Sequence, residues 1–144
     1  MASYLELLKK IEMFQDLTII EINLLSSICE EKEYSEWKLL VREKVSNEGL
    51  YVIQTGKVTV YKGEGGNQKI LTELNSGQSF GEMSMVDDFP ASATIITVEP
   101  SALLFMAKED FNAFIKEHQE IGLKIYRKIS QILAGRLRAS NEAD

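Results

Sequence analysis

The sequence is short of the residues that build metal centres and covalent frameworks: its 144 residues include one cysteine, Cys29, and one histidine, His118. A lone cysteine excludes an internal disulfide, and one His with one Cys cannot furnish the two or three His ligands of a metal-dependent β-barrel enzyme. No nucleophile stands with a positioned base either, so the chain reads as non-catalytic. Positive charge is scarce. Sixteen Lys and Arg against 22 Asp and Glu leave a net charge of -6 and a pI near 4.9, which disfavours nucleic-acid binding, and no direct DNA contact is expected. No apolar run approaches the roughly 18 residues of a membrane span. The N-terminal MASYLELLKK lacks the basic start and long apolar core of a signal peptide. Together with the single cysteine, this predicts a reducing, cytoplasmic setting. Two prolines and nine glycines argue against long disordered stretches.

What remains is enough for one domain, residues 1–144. Two helices come first, each opened by a Ser/Thr-x-x-Glu capping box, Ser3 with Glu6 and Thr18 with Glu21. Their apolar residues recur every three or four positions, as Leu5, Leu8 and Ile11, then Ile20, Leu24 and Ile28. Cys29 extends the apolar side of the second pattern and reads as a small core residue. From Trp37 to Met106 the period changes to that of short strands, at 37–42, 50–54, 57–62, 69–74, 93–98 and 102–106. Gly63-Glu64-Gly65-Gly66-Asn67 reads as a hairpin tip.

Helical spacing returns after Glu109 with Phe111, Phe114 and Ile115. A last helix of about four turns then carries Ile121, Ile125, Ile129, Ile132, Leu133 and Leu137. Its other face is basic, with Lys124, Arg127, Lys128, Arg136 and Arg138, and reads as solvated. His118 falls between the two helices and is expected to be exposed; Trp37 and the Phe and Met residues are expected to pack in the core or at hinges. The fold class predicted is mainly β with flanking α: an antiparallel, jelly-roll-like β-roll with N-terminal and C-terminal helices.

The stretch Phe80 to Thr94, FGEMSMVDDFPASAT, holds the densest chemistry. Gly81 within Phe80-Gly81-Glu82 permits close approach of backbone to a ligand, and Met83 to Met85 suggests a short helical turn whose amides converge on an anion. Glu82 beside a phosphate would be repelled by it, so its carboxylate is cast as an acceptor of sugar hydroxyls. Pro90-Ala91-Ser92-Ala93-Thr94 is expected to begin a strand, with the Ser92 hydroxyl and the Ala93 amide completing the cradle.

In these residues the sequence resembles the cyclic nucleotide-binding domain family, whose signature runs approximately F-G-E-x-A-L and then P-R-S/T-A-T. The resemblance extends from about Leu8 to Leu137. It takes in Leu50-Tyr51-Val52-Ile53 with Gly56, Val58 and Val60, the Leu74, Gly77, Phe80 approach, Glu109-Asp110-Phe111 and Arg136-Leu137. It implies a sensor module whose pocket is lined by Phe80, Gly81, Glu82, Met83, Ala91, Ser92 and Ala93. Cyclic AMP or cyclic GMP is the implied class of ligand, and no catalytic cofactor or metal is implied.

The chain departs from the signature where charge matters. The family's residue after the Pro is an Arg that pairs with the cyclic phosphate; here it is Ala91. Losing one partner of such a charge-assisted, bidentate pair costs roughly 3 to 5 kcal/mol, or about two to three and a half powers of ten in affinity. Ser84 and Met85 replace the usual Ala and Leu, and Lys44-Val45 stands where the family commonly has the Gly-Asp of an R-E-G-D turn. Lys44 is read as a solvated loop lysine, the alternative being a substitute cation. Ser140 and Asn141 fall where the activator branch touches the purine, and are expected to fray.

Two functions follow from these residues. One is a regulatory ligand-binding module with weakened or lost cyclic nucleotide binding. The other is a protein-interaction or dimerisation module with a vestigial pocket, whose Ile121, Ile125, Ile129 and Leu133 stripe either docks on the roll or pairs with a second copy as a homodimer.

Overall fold

The computed structural model describes residues 4–142. They fall into two compact units, residues 28–111 and the pair of segments 4–27 and 112–142.

The 28–111 unit is built from eight strands: β1 (Cys29–Tyr34), β2 (Leu39–Val41), β3 (Gly49–Thr55), β4 (Lys57–Lys62), β5 (Lys69–Asn75), β6 (Ser79–Phe80), β7 (Thr94–Thr97) and β8 (Ser101–Ala107). They form two four-stranded sheets, ordered β1-β8-β3-β6 and β2-β7-β4-β5. Every pairing is antiparallel. Register shifts at Leu39/Val41, Ile53/Thr55 and Val60/Tyr61 interrupt the ladders, and such irregularities bend and twist strands enough to curl a sheet. Val41, Ile53, Val58, Ile95 and Leu103 from both sheets meet in one core, together with Tyr51, Phe80 and Phe105. The Tyr51 ring stacks on Phe80 at 4.9 Å and leans on Phe105 at 4.8 Å.

β1 is a strand that hydrophobic period does not reveal. Its sequence, CEEKEY, carries four charges in six residues. It lies at a sheet edge against β8, where charged side chains discourage further pairing. Lys32 earns its place by setting its ammonium 4.3 Å from the centre of the Phe105 ring. Cys29 accordingly opens a strand, and does not belong to the preceding helix.

The second unit contains α1 (Tyr4–Lys9), a 3-10 turn at Glu12–Phe14, α2 (Ile19–Ser26) and α4 (Gln119–Glu142); α3 (Lys108–Glu117) runs across the boundary. Thr18 and Glu21 form the expected reciprocal capping box. The proposed cap at Ser3 lies outside the described residues. The buried residues of α2 are Ile22 and Leu25, whereas Ile20 is 75% exposed and Leu24 is exposed as well. The proposed Ile20, Leu24, Ile28 stripe is therefore on the wrong side, and Ile28 falls in the turn after the helix.

α4 has 24 residues, about six and a half turns, and so is longer than its Ile stripe implies. Ile121, Ile125 and Ile129 are buried, and α4 packs beside the Glu12–Phe14 turn. That stripe is used inside the chain. Its basic face is not uniformly solvated: Lys124 donates to Glu21 at 2.7 Å and Lys128 lies 3.8 Å from Asp16. His118 sits between the helices as expected, yet it is half-buried with its ring 4.4 Å from that of Phe114. Ser140 and Asn141 are exposed but helical, in the last turn of α4 rather than frayed. Trp37 and Phe89 are surface residues, 65% and 78% exposed, and Met83 is exposed too.

Candidate functional site

Between β6 and β7 the chain makes a turn that only a glycine can begin. Gly81 has φ 90° and caps a 3-10 turn over Glu82–Met85. A side-chain carbon at residue 81 would overlap the Gly49 carbonyl and the Asn47 amide. The turn is then tied down from within and from outside. The Ser84 hydroxyl donates to the Gly81 carbonyl at 2.6 Å, and the Asn47 amide donates to Ser84 Oγ at 3.2 Å and to the Gly49 carbonyl at 2.8 Å. Ser84 is buried, and its hydroxyl is thus fully paired.

A cavity of about 460 Å³ opens over this turn. All seven residues singled out from the sequence line it: Phe80, Gly81, Glu82, Met83, Ala91, Ser92 and Ala93. The expected strand start at Pro90 is displaced. Ser92 and Ala93 lie in a bend before β7, which begins at Thr94. Val41, Val60, Leu74 and Ile95 form apolar wall, with Asn47, Thr72, Ser79 and Asp87 as further polar lining. Asp87 lies within the Phe80–Thr94 stretch but outside the residues the signature marks. Asn47, Thr72, Val41, Val60 and Leu74 belong to strands and loops outside that stretch, and no local pattern brings them to it, while Ile95 directly follows it in β7.

The site's electrostatics are one-sided. No Lys, Arg or His is among the lining residues, whereas Glu82 and Asp87 both are. Glu82 accepts a hydrogen bond from the Ser79 hydroxyl, so its carboxylate already meets the kind of donor the sequence assigns to it. Ala91 is half-buried with its methyl against the core. Its backbone is spoken for: the Ala91 amide donates to the Val45 carbonyl at 2.9 Å, and its carbonyl accepts from the Lys44 amide at 2.8 Å. Lys44 itself is exposed and outside the lining. Lys108 approaches the rim, but its ammonium is bound to the Asp87 carbonyl at 2.6 Å and to the Asp88 carboxylate. Among the described residues, no group of three or more His, Cys, Asp and Glu is placed to hold a metal ion.

The family model "Cyclic nucleotide-binding domain" matches residues 31–118, and the chain belongs to that family. It is 31% identical over 133 residues to the Cyclic AMP receptor protein of Thermus thermophilus, an alignment covering 92% of this chain and 58% of that receptor. Its fold matches the N-terminal domain of a transcriptional regulator from Streptomyces coelicolor A3(2) with a TM-score of 0.83, at 23% identity over 95% of this chain and 94% of that one. It also matches the regulatory domain of Toxoplasma gondii PKA, solved with cAMP, with a TM-score of 0.71 at 25% identity over 80% of this chain and 44% of the other. The β-roll with flanking helices is thus the family's fold. The chain spans 58% of the length of the Thermus receptor. No helix of the described residues is long and apolar enough to cross a membrane.

Proposed function

We propose that the chain is a non-catalytic regulatory domain that holds a small molecule in the cavity over Gly81. In this reading Phe80, Gly81, Glu82, Met83, Ala91, Ser92 and Ala93 are the contacts, and affinity for cyclic AMP and cyclic GMP is lowered for want of a cation. The observation that carries it is Ala91, packed on the core beside a cavity whose charged lining residues are both carboxylates. Regulation would come from contacts made in one state of the domain and not in another, which shifts their populations. The reading places the domain in the cytoplasm and gives it no DNA contact of its own. Calorimetric titration of both cyclic nucleotides into wild type and Ala91→Arg tests it. Binding by the variant alone is the expected result; micromolar binding by wild type would overturn the charge argument.

A second reading has its own observation. Besides its buried stripe, α4 exposes Leu123, Tyr126, Leu133 and Leu137, spaced like the a and d positions of a helix-pairing seam. A homodimer through this seam would cover Leu123 and Leu137, now 70% and 64% exposed. Ile129, by contrast, is buried in the single chain and lies outside this seam. Light scattering should find a wild-type dimer that Leu123→Glu converts to monomer, and a wild-type monomer removes the reading.

A further inference from the structure

We propose that the cavity selects an uncharged nucleoside over the corresponding cyclic nucleotide; the inference rests on the reading above, that this cavity is a ligand site. It comes from counting side-chain hydrogen-bond donors as well as charges. Five lining side chains carry hydroxyl or amide protons: Asn47, Thr72, Ser79, Ser84 and Ser92. Four of them donate to oxygens of the protein. Asn47 gives to Gly49 and Ser84, Ser84 to Gly81, Ser79 to Glu82, and Thr72 to the Glu73 carbonyl at 3.3 Å. Acceptors, by contrast, are plentiful. The Glu82 and Asp87 carboxylates have several lone pairs each. One Asp87 oxygen accepts the Phe89 amide at 3.1 Å and one Glu82 oxygen accepts Ser79, which leaves capacity on both groups.

A phosphodiester only accepts and carries a negative charge, so beyond backbone amides it meets few uncommitted side-chain donors, no cation and two like charges here. A ribose diol can donate both of its protons, and acceptors are what this lining has to spare. Cyclisation also removes donors from the sugar: a cyclic nucleotide keeps one ribose hydroxyl, whereas the parent nucleoside has three. Glu82 is placed to receive a pair of them, while Val41, Val60, Leu74 and Ile95 supply apolar wall for a base. A site built to accept hydroxyl protons discriminates strongly against a ligand that lacks them, because its acceptors are left unpaired. Lys108 does not restore the balance, being held at Asp87 and Asp88.

The test is calorimetric titration of adenosine, guanosine, their 2′-deoxy analogues and their cyclic monophosphates into wild type, Glu82→Gln and Ala91→Arg, with each variant's fold checked by circular dichroism. The expected result is that wild type binds adenosine or guanosine at least tenfold more tightly than its cyclic monophosphate. The deoxy analogue and the Glu82→Gln protein should each lose threefold or more, and Ala91→Arg should reverse the order. The wild-type comparison needs no variant. No nucleoside binding to wild type, with cyclic AMP binding to Ala91→Arg, overturns this inference and leaves the proposed function standing. Cyclic nucleotide preferred by wild type, or no binding of any probe to any folded protein, overturns both.

Discussion

The Lys44 amide donates to the Ala91 carbonyl at 2.8 Å, joining the connection between β2 and β3 to the segment that precedes β7. Lys44 does so with φ at 70°, in the left-handed region, which glycine adopts most readily. A left-handed backbone costs an L-residue roughly 1–2 kcal/mol, and glycine would return about 0.5–1 of that through the freedom it gives the unfolded chain. Lys44→Gly should therefore stabilise the protein by about 0.5–1 kcal/mol, visible as a higher urea midpoint with unchanged slope. An unchanged or lower midpoint would mean that the lysine side chain contributes something the backbone geometry does not reveal.

Much of the roll was legible because its strands obey a period. Lys57–Lys62 has the bounds its alternation predicts, and β3, β5, β7 and β8 differ from theirs by a residue or so at either end. β1 was illegible because an edge strand beside solvent need not alternate, and the two-residue β6 is too short to have a period at all. On α2 the residues Ile19, Ile20, Ile22, Leu24 and Leu25 offer more than one apolar stripe, and spacing alone does not choose among them. The seven proposed site residues lie within fifteen positions and could be read together. Asn47 and Thr72 reach the same cavity through the sheet topology, which no local motif contains.

Gly81 and Gly77 both have φ near 90°, but only Gly81 is crowded, by Gly49 and Asn47. Gly77→Ala should cost about 1 kcal/mol from backbone strain alone. Gly81→Ala should cost about 2 kcal/mol or more, because overpacking is added to strain. Denaturation midpoints of the pair separate the two contributions, and equal losses would show that the 81–85 turn relaxes around a methyl group.

Glu21 has two tasks, capping α2 and receiving the Lys124 ammonium. The hydrogen bond from Lys124, followed by that from the Thr18 amide, holds its carboxyl below the usual glutamate value. A carboxyl whose pKa is depressed in the folded state stabilises above its unfolded pKa, and that contribution is lost as pH falls through the folded value. Glu21→Gln keeps an acceptor for the Thr18 amide and removes the charge. The urea midpoint of the variant should fall below that of wild type at pH 7, and the gap should close as pH drops through the acid range. A gap of constant size would assign the effect to capping geometry instead of charge.

Burial pushes the Cys29 thiol up from 9.0 to about 12, although nothing in the charged strand it opens would suggest protection. The neutral thiol is the form the fold favours. Its contribution is present below pH 9.0 and is lost as pH rises through about 12, the opposite direction from Glu21. Because the thiolate is the nucleophile, a disulfide reagent at pH 8 should label the native protein far more slowly than the protein in denaturant. Cys29→Ala should narrow the loss of stability between neutral and alkaline pH. Native labelling at the unfolded rate would mean that the Cys29 end of β1 opens readily, so that the edge of the sheet is held by the Lys32 contact with Phe105 rather than along its whole length.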